Sequence, residues 1–379
     1  MTDKYKEDGV DIDVGDAFSK LAGLIARSTY DISPFVKVHD LSKGMFRGPR
    51  GFTWQNLPKG CINTGTVDGI GTKVVIIVAS GKAETSANDV IAMTAMDITR
   101  WGGLPLVFLN VFDVRTLGEI GSETYQLCQN VMAGLGTVAK EHGYVVLTGE
   151  TAELGKCVGS EDEQAKLMFN WAGTMLGVYH PNKMILGDTL APEQSIIVFA
   201  DYFRSNGISS VRRGLANHRG RMWWQNSQAK EDIIACATPS KQYDRMFNEA
   251  HGWLNEPEFD SLVKMHLIVH LSGGAFESKL GEDILKPLCL SAELSDLFDP
   301  PDIMKKCANW REMEPQECYK TWNGGQGALA VVDKKDEGIM LALAEKYGIR
   351  ARVAGQITER KEHTVTIKSK FGNGEMIYY

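Results

Sequence analysis

The chain has 379 residues, more than one hydrophobic core usually supports, so two domains with a cleft or interface between them are expected. Its 43% apolar and 23% charged residues are typical of a folded globular protein and exclude a disordered chain. The formal charge of -7 gives no basic surface for a nucleic acid, although a few local cations can hold a small anionic substrate.

Membrane and disulfide roles also lack support. The longest apolar runs, such as residues 74–79, are too short to span a bilayer, and residues 1–12 are heavily charged, so a cytoplasmic location is expected. The seven cysteines are scattered and contain no C-x-x-C pair, which argues against a zinc site and a disulfide framework.

The first half of the chain predicts alternating helices and strands. Apolar residues recur at helical spacing from Phe18, and a Gly- and Pro-rich loop at 43–60 is expected to be mobile. Asn88 suits the N-cap of a helix at 88–100 that Gly102 and Gly103 end. The other elements are a strand at 61–67, the apolar run 74–79, a strand at 106–111, a helix at 119–142 and strands at 144–147 and 172–179.

The second half repeats this mixture after a polar stretch that contains Pro181, Gly187 and Pro192. Strands are predicted at 196–200, 267–271, 328–332 and 350–357, and helices after Asn206, at 241–253, beyond Gly274 and at 337–347. The sequence therefore predicts a mixed α/β fold class with domains at 1–185 and 186–379.

Loops of small and polar residues follow or precede the predicted strands, with the sequences DGIGTK, TGETAE, RSNG, HLSGG and WNGGQG. Such loops gather backbone N–H groups and short side chains at one edge of a sheet, where α/β proteins bind ligands. In the first loop Gly69 and Gly71 permit close backbone approach, Asp68 can bind a metal ion, and Lys73 can place a positive charge on phosphate. The alternative is a tight turn in which Asp68 caps backbone groups.

Three carboxylates are candidates for a metal or nucleotide site. Asp89 lies in the first turn of its helix, where an acidic side chain commonly pairs with the helix dipole. Asp97 follows among apolar neighbours, where a carboxylate is costly without a cation or hydrogen-bond partners, so a function is favoured. Glu150, directly after an apolar strand, is expected at the sheet edge as a metal ligand or base.

Two polar residues of the second half stand beside glycines. His270, inside LIVHLSGG, is either a satisfied core histidine or a catalytic group at a strand end. Asn323, inside TWNGGQG, either positions an amide or hydroxyl of a ligand or supports a turn.

Taken together and in order, these segments resemble the aminoimidazole ribonucleotide (AIR) synthetase family of purine biosynthesis. The resemblance runs nearly end to end, through YKEDGVDID, TVDGIGTK, ANDVIAMTAMDI, GLPLVFLNVF, TGETAE, RSNGISSVRRGL, TPSKQY, HLSGGAF and TWNGGQGA. It implies a two-domain fold in which the N-terminal sheets of two subunits join in a homodimer and a larger C-terminal α/β domain closes the site. It also implies ATP-dependent ring closure of formylglycinamidine ribonucleotide, with Mg²⁺.

The resemblance also implies residue roles. Lys73 and His270 would be catalytic, and residues 48–52 resemble the family's glycine-rich lid. ATP would be bound by Asp68, Gly69, Gly71, Thr72, Asp89, Asp97, Gly149 and Glu150, among which Asp68, Asp97 and Glu150 would be the metal ligands. The substrate would be bound by Ser205, Asn206, Gly207 and Asn323.

Four positions depart from the family pattern. Thr148 stands where a glycine is usual, and Arg204 stands where a histidine is usual. The triple glycine becomes Gly273-Gly274-Ala275 after Ser272, and Gly324 replaces the cysteine of the N-C-G-x-G motif. Two alternatives stay open: another ATP-using member of the superfamily, such as selenophosphate synthetase or thiamine monophosphate kinase, and a catalytically silent nucleotide-binding protein.

Overall fold

The computed structural model describes residues 11–44 and 47–379 of the chain. Its internal contacts divide into two compact units, Met1–Ala95 with Pro105–Val178, and Met96–Leu104 with Tyr179–Tyr379. The first six residues of the YKEDGVDID segment, 5–10, lie outside the described part. The boundary between residues 185 and 186 stays a prediction.

The first unit pairs helices with a small sheet. Asp11 caps its first helix by accepting hydrogen bonds from the backbone N–H groups of Asp13 and Val14, at 3.1 and 3.4 Å. The elements as far as Tyr179 are α1 (Ile12–Arg27), β1 (Val36–Asp40), β2 (Arg50–Trp54), β3 (Ile62–Gly69), α2 (Lys73–Ser80), α3 (Ser86–Thr99), β4 (Leu104–Val114), α4 (Glu123–His142), β5 (Val145–Glu153) and β6 (Phe169–Tyr179). The last residues of α3, from Met96, count with the second unit.

Four of these strands form a sheet in the order β3-β6-β4-β5, and β1 pairs with β2 separately. Strands β4 and β5 are parallel, with Asn110 opposite Gly149 and Val111 opposite Glu150. Phe112 and Trp171, from neighbouring strands, pack edge to face with ring centroids 5.8 Å apart. The opposite face of the sheet exposes Val67 and Val111.

The second unit is built on a sheet of seven strands, in the order β13-β12-β9-β11-β7-β10-β8. Its strands are β7 (Ser195–Ala200), β8 (Met265–His270), β9 (Leu290–Leu294), β10 (Gln326–Val332), β11 (Ala351–Glu359), β12 (Val365–Lys368) and β13 (Met376–Tyr378). Its helices are α5 (Ile208–Arg219), α6 (Lys230–Cys236), α7 (Asp244–Ala250), a π-helix (Ala275–Leu285), α8 (Asp302–Arg311), α9 (Pro315–Trp322) and α10 (Glu337–Lys346).

The order of strands in the second sheet brings three chain segments to one edge. Strand β10 is antiparallel to β7 on one side, with Gln326 opposite Ala200, and antiparallel to β8 on the other, with Ala328 opposite His270. The carboxyl ends of β7 and β8 therefore meet the amino end of β10. Strand β10 is buried along its whole length, which fixes this edge on a rigid core.

Several boundaries differ from the sequence prediction. The apolar run 74–79, for which the sequence predicted neither helix nor strand, lies inside α2, because packing buries Ile76 and Ile77 and outweighs the modest helix penalty of β-branched residues. Asn88 is not the N-cap, since α3 already begins at Ser86. The TGETAE segment is strand rather than loop, because its backbone pairs with β4 as far as Glu153.

The predicted loop at 43–60 contains a strand, β2, whose backbone pairs with β1 in a two-stranded sheet. The sequence also missed α6, α8, α9, β9, β12 and β13. Among the helices of residues 11–44 and 47–379, none combines the length and apolar character needed to cross a bilayer.

Candidate active site

Three loops of the second unit meet at the shared edge of β7, β10 and β8, and backbone hydrogen bonds connect them. The Asp201 N–H donates to Gly325 O at 2.9 Å, and the Leu271 N–H donates to Gly327 O at 3.1 Å. The Gly274 N–H donates to the carbonyl oxygen of α9 at Lys320, at 2.8 Å. The RSNG, HLSGG and WNGGQG segments therefore form one connected surface.

Side chains brace the same loops. The Asn206 Nδ2 donates to Thr321 O at 2.8 Å, the Asn323 Nδ2 donates to Leu271 O, and the Trp322 Nε1 donates to Gly207 O at 3.1 Å. Gly207 has a φ of +68°, and a Cβ there would lie 2.7 Å from Thr321 O, so only glycine fits. The structure thus brings together the predicted substrate residues Asn206, Gly207 and Asn323.

Four buried polar atoms without a hydrogen-bond partner lie at this edge. Within the described part of the chain, none is found for Ser205 Oγ, Asn206 Oδ1, Asn323 Oδ1 or His270 Nε2. Native proteins rarely leave such atoms unsatisfied, and exceptions cluster where a ligand or water supplies the partner. This edge is therefore the strongest candidate for substrate binding.

His270 ends β8 with its side chain buried, and its Nδ1 lies 3.7 Å from Asp97 Oδ1. This is an electrostatic contact, longer than a normal hydrogen bond. Burial above all, and next the charge of Arg204, hold the pKa of His270 well below its ordinary value. The imidazole is therefore neutral near pH 7.

Asp97 is partly exposed beside His270. Burial acts to raise its pKa, but the contact with His270 and the positive charges of Arg100 and Lys279 outweigh burial, so its pKa lies below the ordinary value. The carboxylate stays ionised. The expected burial of Asp97 among apolar residues is wrong, because its side chain is 39% exposed, and its functional role stays a prediction.

Arg204, one of the four departures, is buried and cannot reach solvent. Its Nη1 donates to Asp201 Oδ2 at 2.6 Å and to Lys241 O at 3.1 Å. Its guanidinium lies 5.6 Å from the centroid of the Tyr243 ring. The residue therefore fixes the start of the 201–207 loop against the Lys241 segment instead of presenting a charge to a ligand.

Lys279 belongs to the π-helix and was not singled out by sequence reasoning. Its Nζ donates to Ser272 Oγ, two residues after His270. Its positive charge acts to lower the pKa of both Asp97 and His270. The only sequence signal was its position five residues after the double glycine, and the π-helical geometry that directs it back toward the loop was not predictable.

The DGIGTK segment of the first unit forms the turn between β3 and α2. The Gly69 N–H donates to Asp68 Oδ1 at 2.7 Å, while Gly71 and Thr72 are exposed. Gly71 has a φ of +61°, the left-handed conformation that glycine adopts without strain. The segment presents exposed backbone directly before a helix, as expected for a loop that contacts an anion.

Lys73 and Asp89 form an ion pair of 2.6 Å with no exposure of either side chain. The pair links the start of α2 to the first turn of α3. In this arrangement the Lys73 ammonium is not accessible to a nucleotide, and a direct contact with phosphate would require the pair to open. The roles expected for Lys73 and Asp89 at the nucleotide stay predictions.

Gly149 and Glu150 lie on β5, opposite Asn110 and Val111 of β4, and both are exposed. They line a groove of about 380 Å³ together with Val67, Leu109, Asn110, Val111, Thr148, Ala172, Gly173 and Thr174. A Cβ at Gly149 would lie 2.6 Å from Asn110 Nδ2, so packing alone requires a glycine there. Thr148, another departure, adds a methyl and a hydroxyl group to the groove.

The three predicted metal ligands fall in different parts of the chain, Asp68 and Glu150 in the first unit and Asp97 in the second. Among residues 11–44 and 47–379, no three His, Cys, Asp or Glu side chains cluster as a metal site. A magnesium ion needs only one or two protein carboxylates when phosphate oxygens complete its shell. Their role as metal ligands stays a prediction.

Two family models match the chain. The N-terminal domain of AIR synthase related proteins matches residues 57–178, and the C-terminal domain matches residues 264–368. Among curated proteins, the phosphoribosylformylglycinamidine cyclo-ligase of Oceanobacillus iheyensis is 26% identical, with 95% of this chain and 98% of that protein covered. The protein of that name from Thermodesulfovibrio yellowstonii is also 26% identical, with 97% and 100% covered.

Solved structures share the fold. The hydrogenase maturation protein HypE in complex with ATP aligns with a TM-score of 0.55 at 15% identity, over 84% of each chain. Thiamine-monophosphate kinase from Stenotrophomonas maltophilia aligns with a TM-score of 0.59 at 13% identity, over 94% of this chain and 96% of that one. Both domain models match in the expected order and together cover more than half of the chain, so the chain belongs to the family of AIR synthase related proteins.

Proposed function

We propose that the protein is a phosphoribosylformylglycinamidine cyclo-ligase, which uses ATP to convert formylglycinamidine ribonucleotide to aminoimidazole ribonucleotide. The formyl oxygen attacks the γ-phosphorus of ATP, forming an O–P bond while the bond to ADP breaks. The ribosyl-bearing amidine nitrogen then bonds to the formyl carbon, the C–O bond breaks, and phosphate and a proton leave. Phosphorylation is needed because an amide oxygen is a poor leaving group.

The observation that carries this proposal is the convergence of the RSNG, HLSGG and WNGGQG loops at one sheet edge. These loops carry the residues by which the sequence resembles the family, and they contain the buried unpartnered atoms. End-to-end alignment with proteins of this name adds support. Fold likeness alone would not separate this activity from other ATP-using reactions.

His270 suits a role that uses its neutral form. A neutral imidazole can accept a hydrogen bond at one nitrogen and donate one at the other. With a pKa held well below the ordinary range it is a weak base, so we expect it to hydrogen-bond the forming ring rather than store a proton. Its contact with Asp97 Oδ1 orients the ring.

ATP would approach the turn that contains the partly buried Gly69 and the exposed Gly71 and Thr72, whose backbone precedes α2. Asp68 is partly exposed and Glu150 is exposed, and both carboxylates have the oxygen chemistry that Mg²⁺ prefers. A bound Mg²⁺ would neutralise charge on the transferring phosphoryl group. Asp97 is the third predicted ligand of this set.

A homodimer is the assembly that we propose. The open face of the four-stranded sheet exposes Val67 by 72% and Val111 by 42%, and β3 also exposes Ile62 by 44%. An apolar sheet face of this kind is typical of a surface that another chain covers. The cytoplasmic location expected from the sequence stays a prediction.

The test is direct. Purified protein would be incubated with ATP, Mg²⁺ and formylglycinamidine ribonucleotide, and ADP and the aminoimidazole product would be measured together. Stoichiometric formation of both supports the proposal. ATP binding without ADP release would indicate a silent nucleotide-binding protein, and ADP formation only with a different acceptor would indicate another reaction of the superfamily.

A further inference from the structure

Two asparagine side chains of the second unit have an amide orientation that chemistry fixes. The Nδ2 of Asn206 lies 2.8 Å from Thr321 O, and the Nδ2 of Asn323 contacts Leu271 O. A carbonyl oxygen cannot donate a hydrogen bond, so each amide must turn its nitrogen toward the carbonyl and its oxygen away. Both side chains therefore offer an acceptor on the side opposite their brace.

These acceptors lack a protein partner. Within the described part of the chain, neither Asn206 Oδ1 nor Asn323 Oδ1 accepts a hydrogen bond, although both atoms are buried. Asn323 is only 1% exposed, so bulk water does not compensate for the missing bond. A buried acceptor left in this state costs about 1–3 kcal/mol. A ligand that supplies N–H or O–H groups would recover that free energy.

The two amides belong to one connected site. Asn206 is bonded to Thr321, two residues before Asn323, and Asn323 is bonded to Leu271, which follows His270 directly. This chain of contacts joins the ends of β7, β10 and β8. Both acceptors therefore belong to loops that meet at this edge.

We propose that the amide oxygens of Asn206 and Asn323 accept hydrogen bonds from the amidine N–H groups of formylglycinamidine ribonucleotide and so determine the preference for an amidine over an amide. This inference rests on the proposed function. A phosphate group would not suit the two atoms, because its oxygens are themselves mainly acceptors and would be repelled. The exocyclic amidine nitrogen, by contrast, carries hydrogens that match them.

The amide analogue, formylglycinamide ribonucleotide, provides the sharpest probe. It differs by a carbonyl oxygen in place of the exocyclic amidine nitrogen, so an acceptor would face the two asparagine acceptors. Sites built to hydrogen-bond a substrate group reject analogues without it by large factors. We expect the wild-type protein to bind the amidine at least about 100-fold more tightly than the amide.

The experiment measures both dissociation constants calorimetrically for wild-type protein, Asn206→Ala and Asn323→Gly. Glycine suits position 323 because its φ of +57° lies in the left-handed region. Each variant should lower the amidine preference to less than about tenfold. Asn217→Ala is the matched control, since the Nδ2 of this exposed residue donates to Trp310 O at 3.2 Å and its loss should leave the ratio unchanged.

The outcomes are separable. Folded variants that keep the wild-type ratio would overturn the inference and show that the asparagines only brace the loops, and so would a wild-type protein that turns over the amidine but binds both nucleotides equally. Thermal melting identifies a misfolded variant, and the other asparagine variant then decides. A wild-type protein that neither binds nor converts either nucleotide would overturn the proposed function and this inference with it.

Discussion

Asp201 and Arg204 form an ion pair of 2.6 Å in which neither side chain is exposed. The two residues are three positions apart at the start of the 201–207 loop. The Lys241 N–H also donates to Asp201 Oδ1 at 3.2 Å. A Cβ at Gly327 would lie 2.7 Å from Asp201 Oδ2, so the pair packs directly against β10. Removing either charge leaves the other buried without compensation.

We therefore expect Arg204→Met to lower the free energy of unfolding by about 3–5 kcal/mol, because the Asp201 carboxylate loses its charged partner. Urea denaturation measures the change. The double variant Asp201→Asn with Arg204→Met should recover part of the loss, since it removes both charges. An unchanged midpoint in the single variant would contradict the structural role of the pair.

The carboxylates assigned to Mg²⁺ should act on nucleotide use and not on folding. Asp68→Asn and Glu150→Gln should each raise the KM for Mg·ATP by at least about tenfold, since even outer-shell partners of metal sites cost that much. Melting temperatures should stay near wild type. Glu163→Gln, at an exposed position between β5 and β6, is the control and should change neither quantity.

If Asp68→Asn instead unfolds the protein while the activity per folded molecule persists, Asp68 has a structural role. Its hydrogen bond from the Gly69 N–H would then be the reason for its presence. The KM for Mg·ATP and the melting temperature together decide between these roles.

Val67→Asp should weaken the proposed dimer, because dimerisation would bury the new charge in an apolar contact. Light scattering coupled to gel filtration measures the mass over a range of concentrations. Ile120→Asp is the control, since Ile120 is 61% exposed but lies in the loop before α4. Loss of the dimer in both variants, or in neither, would argue against the sheet face as the contact.

Acid should destabilise the protein partly through His251. Its Nε2 donates to Lys183 O at 2.5 Å, and burial lowers the pKa of His251 from 6.5 to about 4. Between pH 6.5 and pH 4, His251 binds a proton in the unfolded chain but not in the folded chain. The stability from this residue is thus complete above pH 6.5 and is lost toward pH 4, at about 1.4 kcal/mol per pH unit.

His251→Gln keeps a donor for Lys183 O but cannot titrate. Urea denaturation of both proteins between about pH 7 and pH 5 should show a shallower pH dependence for the variant. Other groups, including His270, contribute equally to both proteins, so the difference isolates His251. Identical slopes would show that His251 titrates normally in the folded state.

Local sequence signals predicted the central elements of both units, since apolar periodicity and glycine-rich ends are encoded within short windows. The order of the seven-stranded sheet was not predictable, because β9 and β12 pair through contacts between distant segments. The same limit explains why TGETAE was wrongly placed in a loop. Its strand character comes from pairing with β4, and nothing within its own small and polar residues indicates it.

The residues of the candidate site were predictable from the sequence, but the contacts that bring them together were not. His270 and Asn323 were identified from glycine-containing motifs, and Ser205 and Asn206 from the family resemblance of RSNG. Their convergence depends on contacts such as the one from Asn206 to Thr321, 115 residues away. The burial of Lys73 against Asp89 and of Arg204 against Asp201 followed from packing, which no motif records.

The left-handed backbone at Asn323 narrows the exchanges that evolution or engineering can sample. Besides asparagine, glycine, aspartate and a few other residues adopt this geometry at low cost. None of them has a side-chain amide whose nitrogen can donate to Leu271 O as that of Asn323 does. Loop rigidity and ligand choice therefore vary together at this position. Selection for heat resistance alone would discard the very sequences in which a new specificity could arise.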